Sequence, residues 1–244
     1  MKNVMLKLKY DGTNYCGWQK QTNGVTVQDV LERRLGELCG EGISVTGCSR
    51  TDAGVHAIEY ICNFQTHSLL EAQIIKRALN ATLPKDIVVL DANYVADDFN
   101  SRFDVMGKTY IYQILNSVER DPFLINYAYH IKVPLDVAAM NKAAKYFIGE
   151  FDFSAFTTAE SQDKNTVRVI ADCFAEKTDN LITIMVEGQS FLHNMVRIIA
   201  GTIISAGRGK ILPNDIPVII QSKKRELAGA TAPAKGLFLQ KVVL

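Results

Sequence analysis

The sequence has few of the features that mark membrane-spanning, secreted or metal-binding proteins. No uninterrupted apolar run approaches the roughly 18 residues that a membrane helix needs, since the longest candidate, residues 191–206, is broken by His193, Asn194 and Arg197. The five cysteines are odd in number and include no Cys-x-x-Cys pair, which argues against zinc and thioredoxin-like chemistry. We therefore expect a cytoplasmic protein with reduced thiols, no signal peptide, no membrane association and no metal site.

Charge of one sign is scarce as well. The 27 basic and 26 acidic side chains give a formal net charge of +1, whereas a nucleic-acid-binding domain is often strongly basic. The distribution is uneven, however. Residues 197–225 hold six basic side chains against Asp215 alone. A segment of this kind would suit a phosphate backbone, and a solvated helix face is the alternative on composition alone.

What is present is an ordinary globular composition, with 48% hydrophobic residues, enough to exclude disorder. Hydrophobic periodicity in residues 1–105 predicts the order β-α-β-β-α-β, which is typical of ferredoxin-like folds. The predicted elements are strand 4–10, a helix capped by Thr26, strands 43–48 and 57–64, a helix capped by Ser68, and strand 87–95.

Residues 106–244 repeat this order roughly. The predicted elements are strands 106–116 and 127–133, a helix from Pro134 and Asp136 that includes Phe147 and Ile148, a hairpin of 167–176 and 181–187, helices 190–206 and 213–221, and strand 236–243. We therefore predict an α+β protein of two ferredoxin-like, RRM-like halves, residues 1–105 and 106–244. Their mainly antiparallel sheets are expected to join into one extended sheet with a central cleft.

The loop between the second and third predicted strands, residues 47–57, carries the clearest chemical signal. It reads GCSRTDAGVHA and surrounds one arginine, one aspartate and one histidine with small residues, which let a backbone approach a ligand closely. Asp52 would then be a nucleophile or a base. The alternative is structural, with Asp52 forming an Asx-turn and Arg50 as its surface partner.

Five further segments accompany this loop. They are YDGTNYCGWQ at 10–19, FNSRFD at 99–104 followed by KTYIY at 108–112, FDFSAF at 151–156, SFLHNMVR at 190–197 followed by Gly201-Thr202, and APAKGLFL at 232–239. In order and spacing, the six segments resemble the motifs of the tRNA pseudouridine synthase A family. The departures are Ser49 for a frequent Gly, Asn100-Ser101 for His-Ala, and Lys108 for a frequent Arg.

The resemblance implies an isomerase that converts uridine to pseudouridine at positions 38–40 of the tRNA anticodon stem-loop. It also implies a homodimer in which one tRNA contacts both subunits, and no organic cofactor or catalytic metal. The first half would carry the aspartate loop of the catalytic cleft. The second half would carry the tyrosine strand, the basic segment and the arginine helix.

The same resemblance assigns roles to individual residues. Asp52 would be the essential carboxylate, either as a nucleophile or as the base that removes a sugar proton. Arg197 would be its ion-pair partner, which favours the charged form of a carboxylate. Tyr110 would stack on the target uracil, although Tyr112 lies on the same strand face by period and is the alternative.

Three other residues are candidate contacts to the displaced RNA backbone. They are Arg50, Arg102 and His56, each with a structural role as its alternative. Trp18 is expected to anchor the core or a loop. Two other function classes remain, a catalytically silent RNA-binding protein and a metabolic enzyme for a small molecule. The combination of Asp52, Tyr110 and Arg197 argues against the first, and the basic segment argues against the second.

Overall fold

A computed structural model of the chain describes residues 1–158 and 165–244. Within these residues the protein is α+β with one mostly antiparallel sheet, as the sequence predicts. The sheet has ten strands, one more than predicted, and the described residues form five α-helices. None of the described helices is long and apolar enough to cross a membrane. The chain forms two compact units, one of Met1–Met106 with Leu239–Leu244 and one of Gly107–Phe238.

The first unit has the predicted β-α-β-β-α-β order, followed by a closing strand. Its strand order is β4-β1-β3, and both β2 and β10 also pair with β3. The elements are β1 Lys2–Tyr10, α1 Val27–Cys39, β2 Val45–Gly47, β3 His56–Thr66, α2 Ala72–Thr82, β4 Ile87–Val95 and, at the end of the chain, β10 Leu237–Val243.

The buried residues and the helix cap of the first unit match the sequence pattern. Alternate residues of β1, among them Leu6 and Leu8, are fully buried, as are Leu31 and Leu35 on α1. The Thr26 hydroxyl accepts a hydrogen bond from the Asp29 N–H at 3.2 Å, so the predicted cap of α1 is confirmed.

The second unit is built around a four-stranded antiparallel ladder. The strand order is β5-β9-β8-β7, and β6 runs parallel to β5. The elements are β5 Gly107–Asn116, β6 Tyr129–Ile131, α3 Val137–Lys145, β7 Gly149–Asp152, β8 Val167–Thr178, β9 Leu181–Gly188, α4 Met195–Gly207 and α5 Ile216–Ser222.

Several predicted element boundaries are wrong. Helix α4 begins at Met195 instead of residue 190, because Asn194 adopts a left-handed conformation with φ of 61°. Helix α2 begins after Glu71, and the Ser68 side chain does not cap it. Helix α3 ends at Lys145, although its apolar pattern continues. The strand β7 that follows it was not predicted.

Candidate functional site

Asp52 lies in a tight turn between β2 and β3. The ladder between these strands ends where the Cys48 N–H donates to the Ile61 carbonyl at 2.9 Å. A reverse turn follows, closed by the Val55 N–H on the Asp52 carbonyl at 3.1 Å. Gly54 has φ of 77° in this turn, a conformation that glycine adopts without steric cost. Asp52 is half-buried at the start of the turn.

The opening motif, residues 10–19, packs directly against this turn. The Trp18 N–H donates to the Thr51 carbonyl at 3.1 Å, and the Gly54 N–H donates to the Tyr15 carbonyl at 3.3 Å. Gly17 has φ of 87°, and a Cβ there would collide with the Thr51 carbonyl oxygen. Two motifs far apart in sequence therefore form one backbone scaffold around Asp52. The sequence analysis does not predict this scaffold, although Gly17 and Gly54 lie within the two motifs.

Buried aromatic side chains also hold this turn, through hydrogen bonds and ring stacking. The Tyr10 hydroxyl is 2.9 Å from the Thr51 hydroxyl, and the Tyr60 hydroxyl donates to the Ser49 carbonyl at 2.5 Å. Trp18 is 3% exposed and stacks on Tyr60 with ring centroids 4.0 Å apart. Burial raises the pKa of Tyr60 well above its ordinary value, so its hydroxyl stays a donor. Trp18, predicted to anchor the core or a loop, does both, since its ring is buried and its backbone N–H holds the Asp52 turn.

The three candidate RNA contacts of the first unit differ in accessibility. Arg50 and Arg102 are exposed. His56 is 2% exposed, and its Nδ1 lies 3.1 Å from the Gly12 nitrogen, which donates to it, and 3.0 Å from Asp11 Oδ1. His56 therefore joins β3 to the opening motif.

In the second unit, Tyr110 and Tyr112 share one face of β5 but have different surroundings. Tyr110 is 5% exposed, and its ring meets Phe191 edge-on, with centroids 5.2 Å apart. Tyr112 is fully buried, and its hydroxyl donates to the Pro233 carbonyl at 2.8 Å. Burial raises the pKa of Tyr112, against the opposing effect of nearby Arg197. The Tyr112 side chain therefore has a structural role, since its hydroxyl binds the Pro233 carbonyl and its ring is buried in the core.

Arg197 lies in the first turn of α4 and is held by two acceptors. Its Nε donates to the Ala232 carbonyl at 2.8 Å, and its Nη1 donates to Asn194 Oδ1 at 2.7 Å. A cation at this end of a helix is disfavoured by the helix dipole, and the first turn contains no acidic residue. Its position therefore points to a role other than stabilising α4.

Some basic side chains of segment 197–225 bind partners within the protein, so fewer of them can contact RNA phosphates than its composition suggests. Lys223 pairs with Asp152 at 2.7 Å. Arg225 donates to the Gly229 carbonyl at 2.9 Å and to the Thr231 hydroxyl at 3.0 Å. The remaining members, which are exposed, are Arg208, Lys210 and Lys224.

The Asp152 carboxylate that binds Lys223 has further hydrogen-bond partners after β7 and just before β8. It accepts hydrogen bonds from the Ser154 N–H at 3.0 Å and the Thr166 hydroxyl at 2.6 Å. Burial acts to raise the pKa of Asp152. The hydrogen bonds from Lys223, Thr166 and Ser154 outweigh burial and hold the pKa well below its ordinary value of 3.8.

The structure thus collects the predicted residues into two sets. Asp52, Arg50, His56 and Arg102 belong to the first unit. The second unit contains Tyr110 and Arg197. The contact of Asn194 with Arg197 is visible only in the structure.

Comparison with known proteins agrees with the resemblance found in the motifs. A family model described as tRNA pseudouridine synthase matches residues 8–104 and 143–243. The chain is 48% identical over 243 residues to tRNA pseudouridine synthase A of Clostridium acetobutylicum, and 46% identical to that of a Thermoanaerobacter species, with 100% of each chain covered. It is 47% identical to tRNA pseudouridine synthase A 2 of Clostridium tetani, over 99% of this chain and 98% of the relative. The chain therefore belongs to the tRNA pseudouridine synthase family, a family of isomerases.

Proposed function

We propose that this protein isomerises uridine to pseudouridine at positions 38–40 of the tRNA anticodon stem-loop, with Asp52 as the essential carboxylate. The observation that carries the proposal is the turn that presents Asp52. Two backbone hydrogen bonds join this turn to the opening motif, one donated by Trp18 and one accepted by Tyr15. A side chain held by rigid backbone is the arrangement that preorganised catalysis needs. The relatives named above support tRNA as the substrate.

The reaction exchanges one bond to C1′ for another without gain or loss of atoms. The bond from N1 of uracil to C1′ breaks, the base rotates, and C5 bonds to C1′. The proton on C5 is then lost, and N1 ends protonated. Asp52 would either attack the sugar covalently or remove a sugar proton as the base departs, and both require an ionised carboxylate. The target nucleotide must first leave its stack.

Two residues of the second unit complete the proposed machinery. Arg197 would be the ion-pair partner that favours the ionised form of Asp52, a role consistent with a cation placed against the helix dipole. Tyr110 would provide the aromatic face on which the uracil stacks. It is favoured over Tyr112 because the Tyr112 hydroxyl donates to the Pro233 carbonyl.

The remaining assignments concern RNA binding. Exposed Arg50 and Arg102 would contact the displaced backbone. Buried His56 would contribute by holding the opening motif against β3, through Gly12 and Asp11, instead of touching RNA. We further propose that the enzyme acts in the cytoplasm as a homodimer, so that one tRNA meets the basic surfaces of both subunits.

The test of Asp52 separates catalysis from binding. We expect Asp52→Asn to abolish pseudouridine formation in tRNA while the affinity for tRNA changes only several-fold, because the amide keeps the shape but not the charge. Asp98→Asn, an exposed carboxylate of the same unit, is the matched control and should leave both unchanged. Turnover by Asp52→Asn above the background would remove Asp52 from its central role.

The partner and the target need separate experiments. Arg197→Met should reduce both activity and stability, because it removes the cation proposed to pair with the Asp52 carboxylate. Wild-type rates in this variant would contradict the ion pair.

Mapping pseudouridine in tRNA from a strain that lacks the gene tests the position of the modified uridine. Loss at 38–40 supports the proposal, and loss elsewhere would keep the reaction and reassign the target.

A further inference from the structure

The placement of Arg197 requires a structural explanation of its own. The residue lies three positions after Asn194, in the first turn of α4, where unsatisfied backbone N–H groups and the helix dipole make the local potential positive. An arginine side chain has many rotamers. Without acceptors placed to receive its N–H groups, this guanidinium would sample several orientations and turn away from the helix end.

Asn194 has an unusual conformation for the residue that precedes a helix. Such residues normally have extended backbone, and their side-chain oxygen accepts a hydrogen bond from a backbone N–H of the first turn. Asn194 instead has φ of 61° and ψ of 1°, and its side chain makes no capping bond. Its Oδ1 accepts from Arg197 Nη1 at 2.7 Å. The side chain that would cap the helix is used to hold the arginine.

A second acceptor fixes the other edge of the guanidinium. The Ala232 carbonyl accepts from Arg197 Nε at 2.8 Å, while the Ala232 N–H donates to the Arg197 carbonyl at 3.1 Å. The segment leading to Ala232 lies close against α4, because Gly201 and Gly229 leave room for the opposing backbones. The Gly229 N–H also donates to the Thr202 hydroxyl at 2.9 Å. Two acceptors on different nitrogens determine the plane of the guanidinium.

We propose that Asn194 is a positioning residue for the isomerisation, which holds the Arg197 guanidinium in its reactive orientation through the bond from Nη1 to Oδ1. The inference rests on the proposed function, since Arg197 matters only if it acts beside the reacting carboxylate. It extends that function, because Asn194 acts through Arg197 and not on the substrate. The left-handed backbone of Asn194 is what directs its amide toward the guanidinium instead of the helix N–H groups.

The decisive variant is Asn194→Gly, because glycine keeps the left-handed backbone and removes only the amide. We measure kcat as the maximal rate constant of single-turnover reactions with excess enzyme. We expect it to fall by about 10- to 100-fold, the range caused by small misplacements of a reacting group. The concentration of enzyme that gives half-maximal rate should change by less than about twofold, since uniform binding is unaffected. Asp179→Gly, at another left-handed position of the second unit with φ of 53°, is the matched control.

A double-mutant cycle shows whether Asn194 acts through Arg197. Lysine lacks the planar donors of arginine, so in an Arg197→Lys background the Asn194→Gly change should alter kcat by less than about twofold. An equal loss of kcat in both backgrounds would overturn the proposal, as would a variant that changes only the melting temperature, like Asp179→Gly. If the wild-type enzyme forms no pseudouridine, the proposed function fails and this inference with it. A normal wild-type rate with an unaffected Asn194→Gly refutes the positioning role alone.

Discussion

At the scale of single residues, glycines decide the shape of the loop that presents Asp52. Gly12 and Gly17 leave no room for a side chain, because a Cβ would collide with the carbonyl oxygens of Val55 and Thr51. Gly47 likewise lies against the Tyr60 hydroxyl and the Trp18 ring. The absence of side chains allows two loops to approach within hydrogen-bonding distance of one another.

Replacing Gly17 therefore tests the scaffold. Gly17→Ala should lower the free energy of unfolding by about 3 kcal/mol, because a positive φ and a backbone collision add together, and pseudouridine formation should fall with it. Gly40→Ala separates the two causes, since Gly40 has φ of 72° and no atom within 4 Å of its Cβ position. Urea unfolding should show a cost of about 1 kcal/mol there. Equal losses in the two variants would contradict the collision.

Asp152 gives the molecule a defined response to acid. Its pKa is held below the ordinary 3.8 in the folded state, so its contribution to stability is present above about pH 4 and is lost as the pH falls toward the folded pKa. Asp152→Asn should be less stable than the wild type at pH 6, and this difference should shrink at pH 3. Urea unfolding at both values measures it, with exposed Asp98→Asn as the control. A difference that is constant with pH would contradict the assignment.

At the scale of elements, helix α1 illustrates a local signal that the structure confirms. Thr26 is fully buried, and its hydroxyl accepts from the Asp29 N–H at 3.2 Å. Thr26→Ala should lower the free energy of unfolding by about 1 kcal/mol, the usual cost of a lost cap. Thr26→Ser keeps the hydroxyl and should recover part of that loss in thermal unfolding. A serine variant no better than alanine would assign the loss to packing of the methyl group.

The two mispredicted helix starts have a common cause. Ser68 and the apolar residues before α4 both satisfy local sequence rules for helix starts. Ser68 is used instead at the end of β3, where its N–H donates to Thr66 and its hydroxyl accepts from Leu70. The start of α4 is delayed until Met195 by the left-handed Asn194. In both places the side chain that could cap the helix binds another group, the Leu70 N–H for Ser68 and the Arg197 side chain for Asn194.

At the scale of the whole molecule, a net charge near zero is compatible with RNA binding through a few exposed cations. Arg208 and Lys210 are exposed after α4. Lys223 is exposed as well but pairs with Asp152, and half-buried Arg225 donates to the Gly229 carbonyl. We expect tRNA affinity to fall steeply with salt, because each phosphate contact releases counterions. This is the behaviour of local contacts, as distinct from a strong overall field.

The prediction at this scale is a change in that salt dependence. Arg208→Gln together with Lys210→Gln should weaken tRNA binding and reduce the slope of log affinity against log salt by about one for each phosphate that the variant no longer binds. Single-turnover kcat at saturation should stay near the wild-type value. Lys177→Gln, an exposed lysine of β8, is the control. An unchanged slope in the double variant would show that these two side chains do not meet the phosphates.

The sequence by itself determined the order of elements in residues 1–105, the cap of α1, the family and the loop that carries Asp52, because these depend on periodicity and on motifs within short segments. Only the tertiary structure decided how that loop is braced, which basic residues have partners within the protein, and that His56 is buried. It also decided that Asn194 holds Arg197. The contact between Asn194 and Arg197 depends on the left-handed backbone of Asn194. The other features arise from packing between residues distant in sequence, such as Trp18 and Thr51, and no local pattern specifies such contacts.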